Sequence, residues 1–180
     1  MRLLYAGTPE IAVPGLAALA GRHTVVGVLT NPDRATGRGR KFRTSPVKST
    51  AEKLQLPVLQ PERLNAQVRR EVAALEPELL VCVAYGKIFG PKFLSLFPRG
   101  GINMHPSLLP KYRGPAPIPA AILGGDSETG ITVQELAQEM DAGDILLQRR
   151  RRLEGWETTA DLSAWAGEVG SKMLVEAVTE

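Results

Sequence analysis

The sequence predicts an α/β fold: an open, mostly parallel, twisted sheet of the Rossmann-like kind with helices on both faces. Three observations carry this expectation. Strand-like and helix-like segments alternate along the chain, the pattern that lays helices over a parallel sheet. Residues 79–84 form an unbroken apolar run, as a central strand buried on both faces requires. Helix starts sit where that alternation needs them, as at Ser45-Pro46, a serine cap followed by proline at the first helical position.

Taken in order, the first strand covers residues 2–6 and is closed by Gly7-Thr8-Pro9. A helix is expected over roughly 10–19 and a strand over 24–30. Residues 31–45 have glycines, charge clusters and no periodicity, which predicts a mobile loop. The helix begun at Ser45 runs to about Leu54, before a short strand near Val58. Asn65 can cap a helix over 66–76, because Val68, Val72 and Leu75 share one face and Pro77 ends it. After the apolar run comes a short strand at 102–104, then a proline-rich loop to about Pro119. Two more strands are expected at 129–136 and 145–152, and a long amphipathic helix over 159–178.

Composition narrows the class. A chain of 180 residues buries about two-thirds of its unfolded surface, enough for one domain with its own core. No stretch of about twenty apolar residues offers a membrane-spanning helix. The segment before Gly7 is too short for the apolar part of a signal peptide. The single cysteine, Cys82, lies inside the apolar run and reads as a small buried hydrophobe. A disulfide framework is therefore excluded, which fits a reducing cytoplasm. His23, His105 and Cys82 are too scattered for a zinc site, so no metal is expected.

The net charge is only +3, yet residues 31–48 carry Arg34, Arg38, Arg40, Lys41, Arg43 and Lys48 against Asp33 alone. A basic loop on an otherwise slightly acidic body points to a polyanionic partner, the alternative being an ordinary solvated loop. The run from Arg149 to Arg152 reads differently: on a strand these residues alternate faces, and charge on an edge strand discourages pairing.

The most informative stretch is Gly101-Ile102-Asn103-Met104-His105-Pro106-Ser107-Leu108-Leu109-Pro110. Strand alternation points Asn103 and His105 the same way, at a strand end where α/β sheets form ligand crevices. An amide can hold a developing oxyanion and an imidazole can move a proton at neutral pH, a useful pair for acyl-type transfer. Asp141, in Met140-Asp141-Ala142-Gly143-Asp144-Ile145, could orient that imidazole. On spacing alone the alternatives stay open: a capping histidine and a plain Asp-Gly turn between strands.

These motifs together resemble the formyltetrahydrofolate-dependent formyltransferases. The resemblance rests on Asn103-x-His105, on Ser107-Leu108-Leu109-Pro110 with Arg113-Gly114, and on Asp141-x-Gly143-Asp144-Ile145. Ala6-Gly7-Thr8-Pro9-Glu10, the loop from Asn31 to Lys41, Ser45-Pro46-Val47-Lys48 and Val83-Ala84-Tyr85-Gly86-Lys87-Ile88 narrow it to the members that act on methionyl-tRNA. It covers residues 2 to about 175. It implies the formyltransferase fold, a catalytic trio of Asn103, His105 and Asp141, and 10-formyltetrahydrofolate as donor without a metal. The implied folate contacts are Ala84, Tyr85, Gly86, Ile88, Ser107, Leu108, Leu109, Pro110 and Asp141, with Ser107–Pro110 acting mainly as a brace for His105. Arg34, Arg38, Arg40, Lys41 and Arg43 would contact the acceptor arm of the tRNA. The family is mostly monomeric and cytoplasmic. It continues into a C-terminal β-barrel, so residues 1–180 would be a catalytic domain cut from a longer enzyme.

Rival readings within this chemistry are transfer to a glycinamide ribonucleotide or an amino sugar, and hydrolysis of the formyl-folate. The two transfer rivals should lack the long basic loop. An inactive RNA-binding module is disfavoured by the intact trio, and a dinucleotide-binding domain by Gly7-Thr8-Pro9 in place of a glycine-rich G-x-G-x-x-G turn.

Overall fold

The computed structural model describes residues 1–36, 38–39 and 41–179. Its strands are β1 (Arg2–Gly7), β2 (Thr24–Leu29), β3 (Arg34–Thr36), β4 (Lys41–Arg43), β5 (Val58–Leu59), β6 (Leu79–Val83), β7 (Gly101–His105), β8 (Glu128–Glu135) and β9 (Ile145–Arg152). Its helices are α1 (Val13–Ala20), α2 (Pro46–Lys53), α3 (Ala66–Ala74), α4 (Pro91–Leu94), α5 (Pro117–Leu123) and α6 (Thr159–Thr179). Seven strands make one sheet in the order β5-β2-β1-β6-β7-β8-β9. The five strands from β5 to β7 in that order pair in parallel, while β8 and β9 extend the sheet antiparallel.

Side-chain alternation divides the core into two layers. Leu3 and Tyr5 of β1, Val81 of β6, Met104 of β7 and Ile131 of β8 face one side, under Leu16 of α1 and Met173 and Leu174 of α6. Leu4, Ala6, Leu80 and Cys82 face the other, against Val68 and Val72 of α3 and a row of aromatics. In that row Tyr85, Phe89, Phe93 and Phe97 follow one another with ring centroids 5.3–5.5 Å apart. Each fully buried leucine or phenylalanine contributes about 1.5–3 kcal/mol of transfer free energy. Both expected caps form: Ser45 Oγ accepts from the Lys48 amide and Asn65 Oδ1 from that of Val68, each at 3.0 Å.

Two stretches depart from the sequence-based expectation. Residues 31–45 were expected to be a loop, but β3 and β4 pair as an antiparallel hairpin, Arg34 opposite Arg43 and Ala35 opposite Phe42. Arg34, Ala35 and all of β4 are exposed, with Phe42 76% accessible, so there is no in–out alternation to read. The end of the proline-rich loop forms α5, since proline within the first helical turn costs no hydrogen bond.

The parallel strands end together on one rim of the sheet. From β1 the order runs outward to β2 and β5 on one side and to β6 and β7 on the other. Ligand crevices form outside the strand ends at such a reversal. A cleft of about 780 Å³ opens there, lined by residues that follow β1, β6 and β7.

Candidate active site

The site is built on the cleft-facing side of β7 and β8. Ile102 and Met104 turn into the layer beneath α6, which sends Asn103 and His105 to the cleft side. Antiparallel register then sets Gln134 opposite Asn103, Thr132 opposite His105, and Gln148 opposite Thr132. A polar patch thus crosses three strands, with Thr132, Gln134 and His105 all buried.

This patch braces the loop after β7. Thr132 Oγ1 donates to the Ser107 carbonyl at 2.8 Å and accepts from the Leu109 amide at 3.2 Å. Gln148 Nε2 donates to the Leu109 carbonyl and to Thr132 Oγ1. Ser107 Oγ donates to the Lys111 carbonyl at 2.6 Å. The loop consequently brings the Tyr112 carbonyl within 2.8 Å of His105 Nε2. A carbonyl only accepts, so Nε2 carries a hydrogen and Nδ1 is the ring atom at which a proton can come and go.

Nδ1 faces Asp141 Oδ1 at 3.6 Å, and both side chains are largely buried. Asp141 has a positive φ of 53°, uncommon outside glycine. Its carboxylate is held at both oxygens: the Gly114 amide donates to Oδ2 at 2.8 Å and Gln134 Nε2 to Oδ1 at 3.0 Å. Gly143 is what lets this turn fold so tightly, because a Cβ there would collide with the Glu135 carbonyl at the end of β8.

The opposite wall comes from the turn after β6. Ala84 and Gly86 have φ of 49° and 87°, and the Tyr85 carbonyl between them accepts from Asn31 Nδ2 at 2.7 Å and Thr8 Oγ1 at 3.2 Å. Burial pushes the Tyr85 phenol up to about 12. Burial, with a smaller contribution from the Asp141 charge, does the same to the Cys82 thiol, at about 12. Both stay neutral near pH 7, which removes Cys82 as a nucleophile. Ile88, 75% accessible, and Met140, 54% accessible, stand at the rim.

A family model described as formyl transferase matches residues 3–178. The chain belongs to the formyl transferase family. It is 54% identical over 170 residues to a methionyl-tRNA formyltransferase of Treponema pallidum (strain Nichols), covering 90% of this chain and 53% of that protein. It is 44% identical over 180 residues to one of Borrelia hermsii, covering 100% of this chain and 58% of that protein. The chain therefore spans little more than half the length of these curated relatives. Two solved structures share the fold. Phosphoribosylglycinamide formyltransferase of Streptococcus pneumoniae superposes with a TM-score of 0.82 at 20% identity, over 99% of this chain and 96% of the other. A formyltetrahydrofolate deformylase of Pseudomonas syringae gives 0.80 at 22% identity, over 98% and 59%.

Of the residues singled out from the sequence, Asn103, His105, Asp141, Ala84, Tyr85, Gly86 and Ile88 line the one cleft. Ser107, Leu108, Leu109 and Pro110, also expected among the folate contacts, are not among the residues that line it. The polar groups of Ser107 and Leu109 are used in the brace with Thr132, Gln148 and Lys111, and a Cβ on Gly130 would run into Leu108. Arg34, Lys41 and Arg43 are exposed on the hairpin and Arg38 at its turn, while Arg40 lies outside the described residues. The base of the hairpin is fastened by Asp33, which accepts from Lys48 Nζ and Gln60 Nε2, both at 2.8 Å. Lys87, in the cleft wall, has its pKa lowered by burial, against an opposing pull from Glu62 and with a smaller lowering from the Arg34 charge.

Two features of the site left no signal in the sequence, Gln134 and the Tyr112 carbonyl, and Gly114 showed only as part of a family motif. All three act through backbone or register. A second hollow of about 580 Å³ beside α3 contains none of the expected residues. Among the described residues no group of three or more His, Cys, Asp or Glu could hold a metal, and no helix is long and apolar enough to cross a membrane.

Proposed function

We propose that this chain is the catalytic portion of a cytoplasmic enzyme that moves a formyl group from 10-formyltetrahydrofolate to the α-amino group of methionyl-tRNA. The observation that carries this reading is the convergence of Asn103, His105 and the doubly held Asp141 at the polar end of one cleft. That cleft, about 780 Å³, falls within the roughly 300–1,000 Å³ of small-molecule sites. Its apolar lining, including Ile88, Leu94 and Ile118, suits a flat heterocycle. The donor supplies the formyl carbon, and every other task falls to groups of the chain.

The acceptor nitrogen needs little activation. An α-amine has a pKa of about 7.7–8.0, so a neutral nucleophile is available near pH 7. As its nitrogen bonds to the formyl carbon, negative charge develops on the carbonyl oxygen, and the Asn103 amide is a donor for it. Loss of one such donor costs about 3–4 kcal/mol. The amine proton must end on the folate nitrogen that leaves, and His105 Nδ1 is the ring atom able to relay it. Asp141, fixed by Gly114 and Gln134, keeps a negative charge beside that atom when it is protonated.

The choice of acceptor rests on the names of the relatives and on the exposed basic hairpin, whose Arg34, Arg38, Lys41 and Arg43 suit phosphate contact. The greater length of those relatives fits a further C-terminal β-barrel domain that also grips the tRNA. An acceptor competition tests the reading. Labelled 10-formyltetrahydrofolate is offered with methionyl-tRNA, with glycinamide ribonucleotide and with water alone. Label should pass to methionyl-tRNA; label passing to the ribonucleotide or released to water instead would overturn it.

A further inference from the structure

The three catalytic candidates are not held to one another directly, and one side chain lies between two of them. Gln134 is 2% accessible, on β8, in a sheet position where its neighbours Ile131 and Val133 are buried hydrophobes. A long amide this deep costs free energy unless both of its ends are used. Its Nε2 donates to Asp141 Oδ1 at 3.0 Å, the same oxygen that faces His105 Nδ1. Its Oε1 is buried and has no hydrogen-bond partner among the described residues. In the antiparallel register the residue directly opposite is Asn103, and such pairs bring Cβ atoms within about 4.5–5.5 Å.

We propose that Gln134 is a positioning residue for the catalytic carboxylate: Nε2 fixes Asp141 at the oxygen that faces His105, while Oε1 stands without a partner among the described residues, on the strand position opposite Asn103. With Gly114 on Oδ2 and Gln134 on Oδ1, Asp141 is kept from closing onto His105, and the 3.6 Å gap leaves Nδ1 able to exchange a proton. The titratable groups facing this spot are His105 from β7, Asp141 from the β8–β9 turn and Cys82 from β6. Burial has pushed Cys82 up to about 12, so it does not titrate near neutrality.

The proposal rests on the formyl-transfer reading for its kinetics but not for its second readout. Gln134→Met keeps length and volume while removing both polar ends, and Gln134→Glu keeps the acceptor while losing the donor to Asp141. In the full-length protein, kcat with methionyl-tRNA should fall at least about tenfold in both, with each KM within about threefold of wild type. The pH profile of kcat/KM should move, and the His105 imidazole resonances followed by NMR should titrate over a displaced pH range. Unchanged kcat together with an unchanged His105 titration would overturn the proposal. If the wild-type protein transfers nothing to methionyl-tRNA, the acceptor reading fails, and the His105 titration in the variants still decides the role of Gln134. Should Gln134→Met fail to fold by thermal melting, Gln134→Glu and Gln134→Asn are judged by the same two readouts.

Discussion

The two faces of the β7–β8 ribbon are made from the same residues of chain and do opposite things. On one face Ile102, Met104, Ile131 and Val133 are packed beneath α6; on the other Asn103, His105, Thr132 and Gln134 form the floor and brace of the cleft. A period of two residues is all that separates them, so stability and chemistry are interleaved along each strand yet kept apart in space. A slip of one residue in the pairing would exchange them completely, and the buried apolar face holds the register against that.

The largest expected effect breaks the polar face alone. Asn103→Ala, His105→Ala and Asp141→Ala should each cut formyl transfer at least about a hundredfold while the melting temperature stays close to wild type. Near-normal rates in all three variants would remove the trio from the chemistry. The converse change is Ile131→Ala, at a fully buried core position that does not line the cleft; it should cost about 3 kcal/mol in denaturant unfolding and leave turnover per folded molecule nearly intact. A selective loss of turnover there would mean the faces are not independent.

A smaller effect is expected away from the ribbon. Arg38→Ala should weaken use of methionyl-tRNA by about tenfold, more steeply at low salt, and leave donor binding unchanged. Equal losses for both substrates would join the hairpin to the cleft rather than to the acceptor. Smallest is Asn31→Ala, which frees the Tyr85 carbonyl from its 2.7 Å bond. Donor KM should rise severalfold, the equivalent of about 1 kcal/mol for one hydrogen bond. No change in donor KM would mean that Thr8 alone holds the wall.

What the sequence disclosed, and what it hid, follows the same division. β1 and β6 were readable because burial on both faces leaves continuous apolar runs, and the caps at Ser45 and Asn65 because capping is local chemistry. Asn103 and His105 could be paired by alternation; Asp141 could be offered as a partner for the imidazole, but only the resemblance chose that over a plain turn, since nothing local brings the β8–β9 turn across to β7. The hairpin of β3 and β4 was missed because strands exposed on both sides carry no alternation. Gln134 was missed because a glutamine between buried hydrophobes reads as strand filler until register places it opposite Asn103. In the loop from Ser107 to Pro110, expected to contact folate, the polar groups of Ser107 and Leu109 serve the brace, an arrangement set by strand register rather than by local sequence.

The antiparallel extension of the sheet also bears on when the protein becomes competent. In a chain made from its amino end, β1, β2, β6 and β7 are complete while β8 is still to be synthesised. Such a nascent chain owns a histidine and most of a cleft wall. It lacks Thr132 to seat the loop that meets that histidine, and it lacks Asp141 altogether. On the formyl-transfer reading proposed above, the site cannot assemble before the β8–β9 turn is made, and α6, which closes over the apolar face, follows it along the chain.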